Sequence, residues 1–268
     1  MFDNNELRKI LKFAKVTSKT KLTISLETPT KKFSAWTFKD VCAEYYLSDA
    51  FDPGFEAISP FTDIQAATLD TEFQTKICDG LIAEVDSRVH VLKLFGANAP
   101  TRSMVVASFL IAATRLFVED FYLVAQRDIS GRRGNGLADF SIQSPKNSNV
   151  ILVVTQVRRD DFRQGVAENL VLLESVLTGK KRKRQTYEID GEEKPSRKAR
   201  SYGIVTDASN WVFIECTMHE DETVSYRMTQ LNELLNFENR WQDEAKMVLR
   251  KLAWLWSRMR DEILAREN

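Results

Sequence analysis

The run from Val150 to Val157, Val-Ile-Leu-Val-Val-Thr-Gln-Val, constrains this chain more than any other stretch. Its first five residues are apolar without alternation. A strand built from them tolerates water on neither face and suits the centre of a sheet covered on both sides. The next segment can supply one cover. Asp160 or Asp161 can cap a helix running to Leu177, with Phe162, Val166, Leu170, Leu173 and Leu177 on its buried side. This pattern predicts an α/β domain with a mixed sheet flanked by helices.

The neighbouring segments extend the pattern. Phe121–Ile129 and Gly136–Gln143 alternate like strands on either side of a glycine-rich turn. Gly203–Thr206 and Trp211–Thr217 form a hairpin through Asp207-Ala208-Ser209-Asn210, Thr223–Thr229 suits an edge strand, and Arg240–Leu264 is an amphipathic helix. Thr101–Val118 predicts a buried helix. Its apolar run, Met104 to Phe117, is too short for a bilayer, which needs about 20 apolar residues.

Residues 1–100 predict a mainly helical extension, and residues 101–268 a second domain. In the extension, Asn4–Ala14 has helical periodicity and Lys21–Leu26 alternates like a strand. Thr37–Leu47 reads as a helix capped by Thr37, and Thr71–Phe95 as a long or broken helix. Between Leu177 and Tyr202 the chain is polar and aperiodic, which predicts a disordered basic insert at about 178–201.

The chain carries 38 basic and 38 acidic residues, so no whole-molecule charge favours a polyanion and only local patches can. Cys42, Cys78 and Cys216 are far apart and odd in number, which fits free thiols better than a disulfide framework or a zinc site. Met1 to Lys15 lacks the apolar core of a secretory signal. The elbow, zincin, dinucleotide-loop and kinase signatures are absent, and His90 and His219 are isolated.

Four groups of residues can carry chemistry. Asp139 stands among Leu137, Ala138, Phe140 and Ile142 on an alternating strand. Aspartate is depleted in strands, so it needs a partner there: a hard cation such as Mg²⁺, an arginine, or solvent at a sheet edge. On the next strand Gln156 and Arg158 share a face. They offer a neutral oxygen and a fixed positive charge, as a metal-bound phosphate ester would use, although a solvated strand end has the same spacing. Arg132 and Arg133 in the glycine-rich turn, with Arg159, can meet a phosphate backbone or stand in solvent. Lys180, Lys181, Arg182, Lys183 and Arg184 resemble a nuclear-localisation signal, with Arg197–Arg200 as a second half.

In order along the chain, GRRGNGLADFSIQS, VILVVTQVRRDDFRQGVAENLVLLESVL, KKRKR and SYGIVTDASNWVFIECT resemble the nuclease-like domain of the PD-(D/E)XK superfamily. More narrowly they resemble the fungal group of that superfamily found in Crinkler-type and related proteins. The resemblance runs from about Phe121 to the end, with the helix ending near Glu119 as leading element. It implies a restriction-endonuclease-like fold, DNA or RNA as partner, and Mg²⁺-dependent phosphodiester hydrolysis by an endonuclease or exonuclease. Carried over by position, it makes Asp139 the metal-binding aspartate, sets Gln156 at the Asp/Glu ligand and Arg158 at the catalytic lysine. Glu119 or Asp120 matches an acidic residue of the leading helix, and Glu168 or Gln164 a glutamine of the helix after the third strand.

Two departures weaken the implied catalysis. Gln156 takes a negative charge from the metal site. Arg158 keeps a positive charge but cannot deprotonate, so it cannot act as a base. The expected protein is a nuclease-like nucleic-acid binder of the nucleus or cytoplasm, with hydrolysis weakened or lost and import machinery as a further partner. The alternative is a protein-interaction or effector module that keeps the inactive fold as a scaffold.

Overall fold

A computed structural model describes residues 31–94, 96–145, 151–156, 161–185, 199–231, 235–237 and 241–267, with backbone alone for 151–156, 179–185 and 265–267. The helix expected at Asn4–Ala14 and the strand at Lys21–Leu26 lie outside the described residues, as do Arg158 and Arg159.

Helix starts follow from short polar side chains that satisfy otherwise orphaned backbone N–H groups. Thr37 opens α1 (Phe38–Glu44) and Thr71 opens α2 (Glu72–Val91), each in a capping box closed by Asp40 or Gln74. Asn98 Oδ1 accepts from Thr101 N at 3.1 Å to begin α3 (Ala99–Arg115). Asp161 Oδ1 accepts from Gln164 N at 3.1 Å at the start of α4 (Phe162–Gln185). Helix α5 (Trp241–Glu267) is the last element. Among the described residues, no helix is long and apolar enough to cross a membrane.

Among the described residues, eight strands form one mixed sheet. They are β1 (Lys31–Lys32), β2 (Ser59–Pro60), β3 (Tyr122–Ser130), β4 (Gly134–Gln143), β5 (Ile151–Gln156), β6 (Ala199–Thr206), β7 (Trp211–Met218) and β8 (Val224–Met228). Strand β4 pairs antiparallel with β3 and β5, β5 runs parallel to β6, and β6, β7 and β8 alternate in direction. Strand β1 joins β4 and β2 joins β8, both parallel, so the first hundred residues contribute to the sheet at two places. The expected edge strand, β8, is thus flanked at Arg227–Met228 by β2.

Two apolar cores lie on the two faces of the sheet. One packs Phe109 of α3, Ile77 and Val85 of α2, and Leu252 and Trp256 of α5 against Tyr202, Ile204, Trp211 and Phe213. The other packs Val166, Leu170 and Leu173 of α4 and Val41 of α1 against Val205, Val212, Ile214 and Cys216. The fold is therefore α/β with helices on both faces, as the unbroken apolar run in β5 requires. Cys42, Cys78 and Cys216 are buried free thiols.

Polar ties lock the layers. Arg102 Nη1 donates to Asp207 Oδ2 at 3.2 Å, and Asp207 Oδ1 accepts from the Ser209 and Asn210 N–H groups to shape the β6–β7 turn. Glu262 on α5 accepts from Tyr202 Oη at 2.6 Å and from Arg200 Nη1 at 3.1 Å. Arg200, which the sequence places in a basic localisation segment, is committed to this pairing.

The insert departs from expectation at both ends. Helix α4 continues through Lys180–Arg184 to Gln185, and residues 199–201 belong to β6. Lysine and arginine are good helix formers, a formed helix propagates cheaply, and their charges suit a helix C-terminus. Residues 186–198 lie outside the described part.

Candidate active site on β4 and β5

Asp139 sits where the β3–β4 ribbon changes face. Ala138 packs in the core beneath α4 whereas Phe140 packs in the opposite core, although residues two apart in a regular strand share a face. On the partner strand Ile129 and Leu123 are divided in the same way. The change falls at Gln126, between the recorded pairs Ala125↔Phe140 and Arg127↔Ala138, and Gln126 has φ 51°. A non-glycine residue with positive φ inside a strand carries backbone strain. Gln126 Nε2 donates to Asp139 Oδ1 at 3.1 Å, so the half-buried carboxylate is anchored at the switch itself.

The β4–β5 ladder is recorded from Gln143↔Ile151 to Phe140↔Val154. Asp139 and Gln156 lie one and two residues beyond that last pair on adjoining strands, and the Gln156 backbone pairs with Thr206 of β6. Two of the expected site positions thus lie on neighbouring strands just past the last recorded β4–β5 pair. Among the described residues, no group of three His, Cys, Asp or Glu converges as a metal site.

Glu119 does not join them. Helix α3 stops at Arg115, and Glu119 and Asp120 lie in the turn before β3, Glu119 exposed. That turn adjoins Tyr122, which pairs with Gln143; four residue steps along the strand, about 13 Å, separate Tyr122 from Gln126. Gln164 reaches the N-terminal segment, donating from Nε2 to the carbonyls of Ser34 and Trp36 as well as to Glu168 Oε1.

The glycine-rich turn faces protein. A Cβ at Gly131 would stand 2.3 Å from Ser175 Cα, so the glycine allows α4 to approach. Arg133 turns inward: Nε donates to Glu44 Oε1, Nη1 to Glu174 Oε1 at 3.1 Å, and the guanidinium lies over Tyr45. Arg132 is exposed, with Nη1 3.8 Å from Glu222.

Behind Arg133 is a buried polar cluster. Burial pushes the Glu174 carboxyl up, and the Arg133 guanidinium only partly offsets this. Tyr45, Tyr226 and the Cys216 thiol are likewise pushed up by burial. Sequence reasoning missed Glu174, Glu44 and Gln126. Glu174 had left a signal, a carboxylate inside the apolar run Leu170–Leu177; Gln126 and Glu44 had left none.

No family model matches the chain. Over 256 residues it is 32% identical to Crinkler effector protein 1 of Rhizophagus irregularis, a match covering 94% of this chain and 52% of that protein. The chain therefore spans about half the length of this curated relative. Most of residues 1–100, for which the sequence alone suggested no family, fall inside the match. The similarity to this Crinkler effector protein extends through nearly the whole length of the chain.

Proposed function

We propose that this chain is an effector-type module built on a restriction-endonuclease-like scaffold, which binds nucleic acid and has weak or no phosphodiesterase activity. The observation that carries the scaffold is the element order. Helix α3, the antiparallel meander β3–β4–β5, the covering helix α4 and the parallel strand β6 follow one another as the superfamily resemblance requires. The reading is supported by Asp139 and the Gln156 backbone lying just past the last recorded β4–β5 pair. The effector part rests on the similarity to a Crinkler effector protein.

Weak or lost hydrolysis follows from the donors. Asp139 brings one carboxylate, already accepting from Gln126, and position 156 offers an amide in place of a second carboxylate. Such a set is short of charge for Mg²⁺, which favours carboxylate oxygens in a strict octahedron. The described residues do not fit a tight Mg²⁺ site. Arg158 retains a charge for phosphate and offers no base.

The test has two arms. Short single-stranded and duplex DNA and RNA are titrated across a salt series. Binding that weakens with a slope of roughly 0.9 per phosphate contact on duplex DNA supports the reading. Alanine substitution of Lys180–Arg184 should then shrink the slope. Absent or salt-insensitive binding would overturn it in favour of the second reading, a protein-interaction module on the same scaffold. That second reading is favoured by the zero net charge and by the engagement of Arg133 with Glu44 and Glu174. In the other arm, polynucleotide cleavage is assayed with added Mg²⁺. Little or none is expected from wild type, Asp139→Ala should abolish any that occurs, and Arg158→Lys should raise it. Brisk wild-type cleavage would refute the claim of weakened catalysis.

A further inference from the structure

Helix α1 ends in a Schellman turn. Leu47 N donates to Cys42 O at 2.8 Å and Tyr46 N to Ala43 O at 3.4 Å, which puts Tyr46 at the left-handed position with φ 54°. Glycine takes that position most readily, because a side chain there is strained. Packing does not offset the strain, since the described residues leave Tyr46 92% exposed. A costly backbone conformation that presents an aromatic ring to solvent points to a use outside the fold.

Five residues on, Phe51 is 86% exposed. Lys39 Nζ lies 3.8 Å from its ring centroid, so one face of the ring is taken and the other is open. Asp49, between the two aromatic residues, is exposed and forms no ion pair or hydrogen bond with a described residue. No two of the three are more than about 18 Å apart, the span of five extended residues. The loop that carries them is fixed at both ends. Tyr45 meets Tyr226 edge-on at 5.1 Å, beside the Glu44–Arg133 pair, and Arg163 donates to Pro53 O and to Asp52 Oδ1. A loop held in this way loses little freedom when a partner binds.

We propose that the loop from Tyr46 to Phe51 docks a basic peptide segment of a partner protein. An arginine of that segment stacks on Tyr46 and pairs with Asp49, and an apolar side chain packs on the open face of Phe51. A tyrosine face attracts a guanidinium, and a carboxylate accepts two parallel N–H···O bonds from it. Charge selects this occupant over a polynucleotide strand, because the stretch from Tyr46 to Asp52 carries two carboxylates and no basic residue. Exposed tyrosine is also a residue type that anchors protein interfaces. The surface is separate from the nucleic-acid reading, and its failure would leave that reading standing.

The probe is a random heptapeptide library displayed on phage and panned against the full chain, with enriched peptides synthesised and titrated by fluorescence polarisation. Enriched peptides should share an arginine and an apolar residue. Replacing that arginine by citrulline, its neutral isostere, should weaken binding at least about tenfold. Tyr46→Gly and Asp49→Lys should each weaken it by about tenfold or more, while Tyr46→Phe keeps it. Tyr46→Gly should at the same time raise the urea midpoint, as relief of backbone strain requires. A lowered midpoint would give Tyr46 a structural role and overturn the proposal. No enrichment, enriched peptides without a basic residue, or equal binding by Tyr46→Gly would each overturn it as well. So would a loss of polynucleotide affinity in Tyr46→Gly with peptide binding unchanged, which would assign the loop to nucleic acid. Should Asp49→Lys fail to fold, the arginine-to-citrulline ratio in wild type decides.

Discussion

Arg133 is held by carboxylates from two distant parts of the chain, Glu44 89 residues earlier and Glu174 41 residues later. Glu174 is almost fully buried, so removing its cation leaves a charge in the interior without its partner. The pH dependence follows from the direction of its shift. Glu174 has a folded-state pKa above its ordinary value, because burial outweighs Arg133. An acid raised in this way contributes fully below its unfolded pKa, about 4.3. That contribution is lost as pH rises through the folded value. Arg133→Met raises the folded value further and widens the window. The variant should lose about 3 kcal/mol at pH 7 and distinctly less at pH 5, read by urea denaturation. Equal losses at the two pH values would exonerate Glu174. The backbone at Gln126 gives a second residue-scale prediction. Gln126→Val, β-branched at φ 51°, should be less stable than Gln126→Gly by about 1–2 kcal/mol, checked by the same denaturation.

At the scale of elements, α4 and β6 are fitted backbone to side chain. A Cβ at Gly203 would stand 1.9 Å from Asn169 Oδ1 and 2.9 Å from Leu173 Cδ1. Gly203→Ala should therefore displace the fully buried Asn169 and Leu173 side chains and cost about 1–3 kcal/mol. Gly80 in α2 is the control: nothing lies within 4 Å of an added Cβ and its φ is ordinary. Gly80→Ala should raise stability by about 0.5–1 kcal/mol through the unfolded chain. Thermal melts of the two variants should move in opposite directions. The contrast also marks what the sequence could show. Periodicity located α4, α5 and the long strands, because each repeats its pattern over several turns or alternations. Strands β1 and β2 have two residues each, too few to alternate, and were invisible. The end of α4 was placed at Leu177, where the apolar stripe stops, although the backbone hydrogen bonds that extend it need no apolar side chain. In the site, Asp139 stood out as a carboxylate in an apolar strand. The inward turn of Arg133 and the strain at Gln126 depend on contacts between distant segments, which no local pattern carries.

At the scale of the molecule, the sheet couples its two cores residue by residue. Along β6 and β7 successive side chains enter opposite cores: Ile204 and Val205, Trp211 and Val212, Phe213 and Ile214. Neither core can lose its packing without disturbing strands that the other requires. The first hundred residues share this dependence, because Phe61, Ile77 and Val85 belong to one core and Phe33, Trp36 and Val41 to the other. Unfolding should therefore be one transition, despite a length that permits two domains. Leu249→Ala in the core under α5 and Leu170→Ala in the core under α4 each remove a fully buried side chain. Each should cost about 2–5 kcal/mol and lower the same midpoint. Far-UV circular dichroism reports all elements, while tryptophan fluorescence samples Trp36 in one core and Trp211 and Trp256 in the other. The two probes should give coincident curves in wild type and in both variants. A fluorescence step separated from the circular dichroism transition in either variant would show that the cores melt independently, and that the shared strands do not couple them.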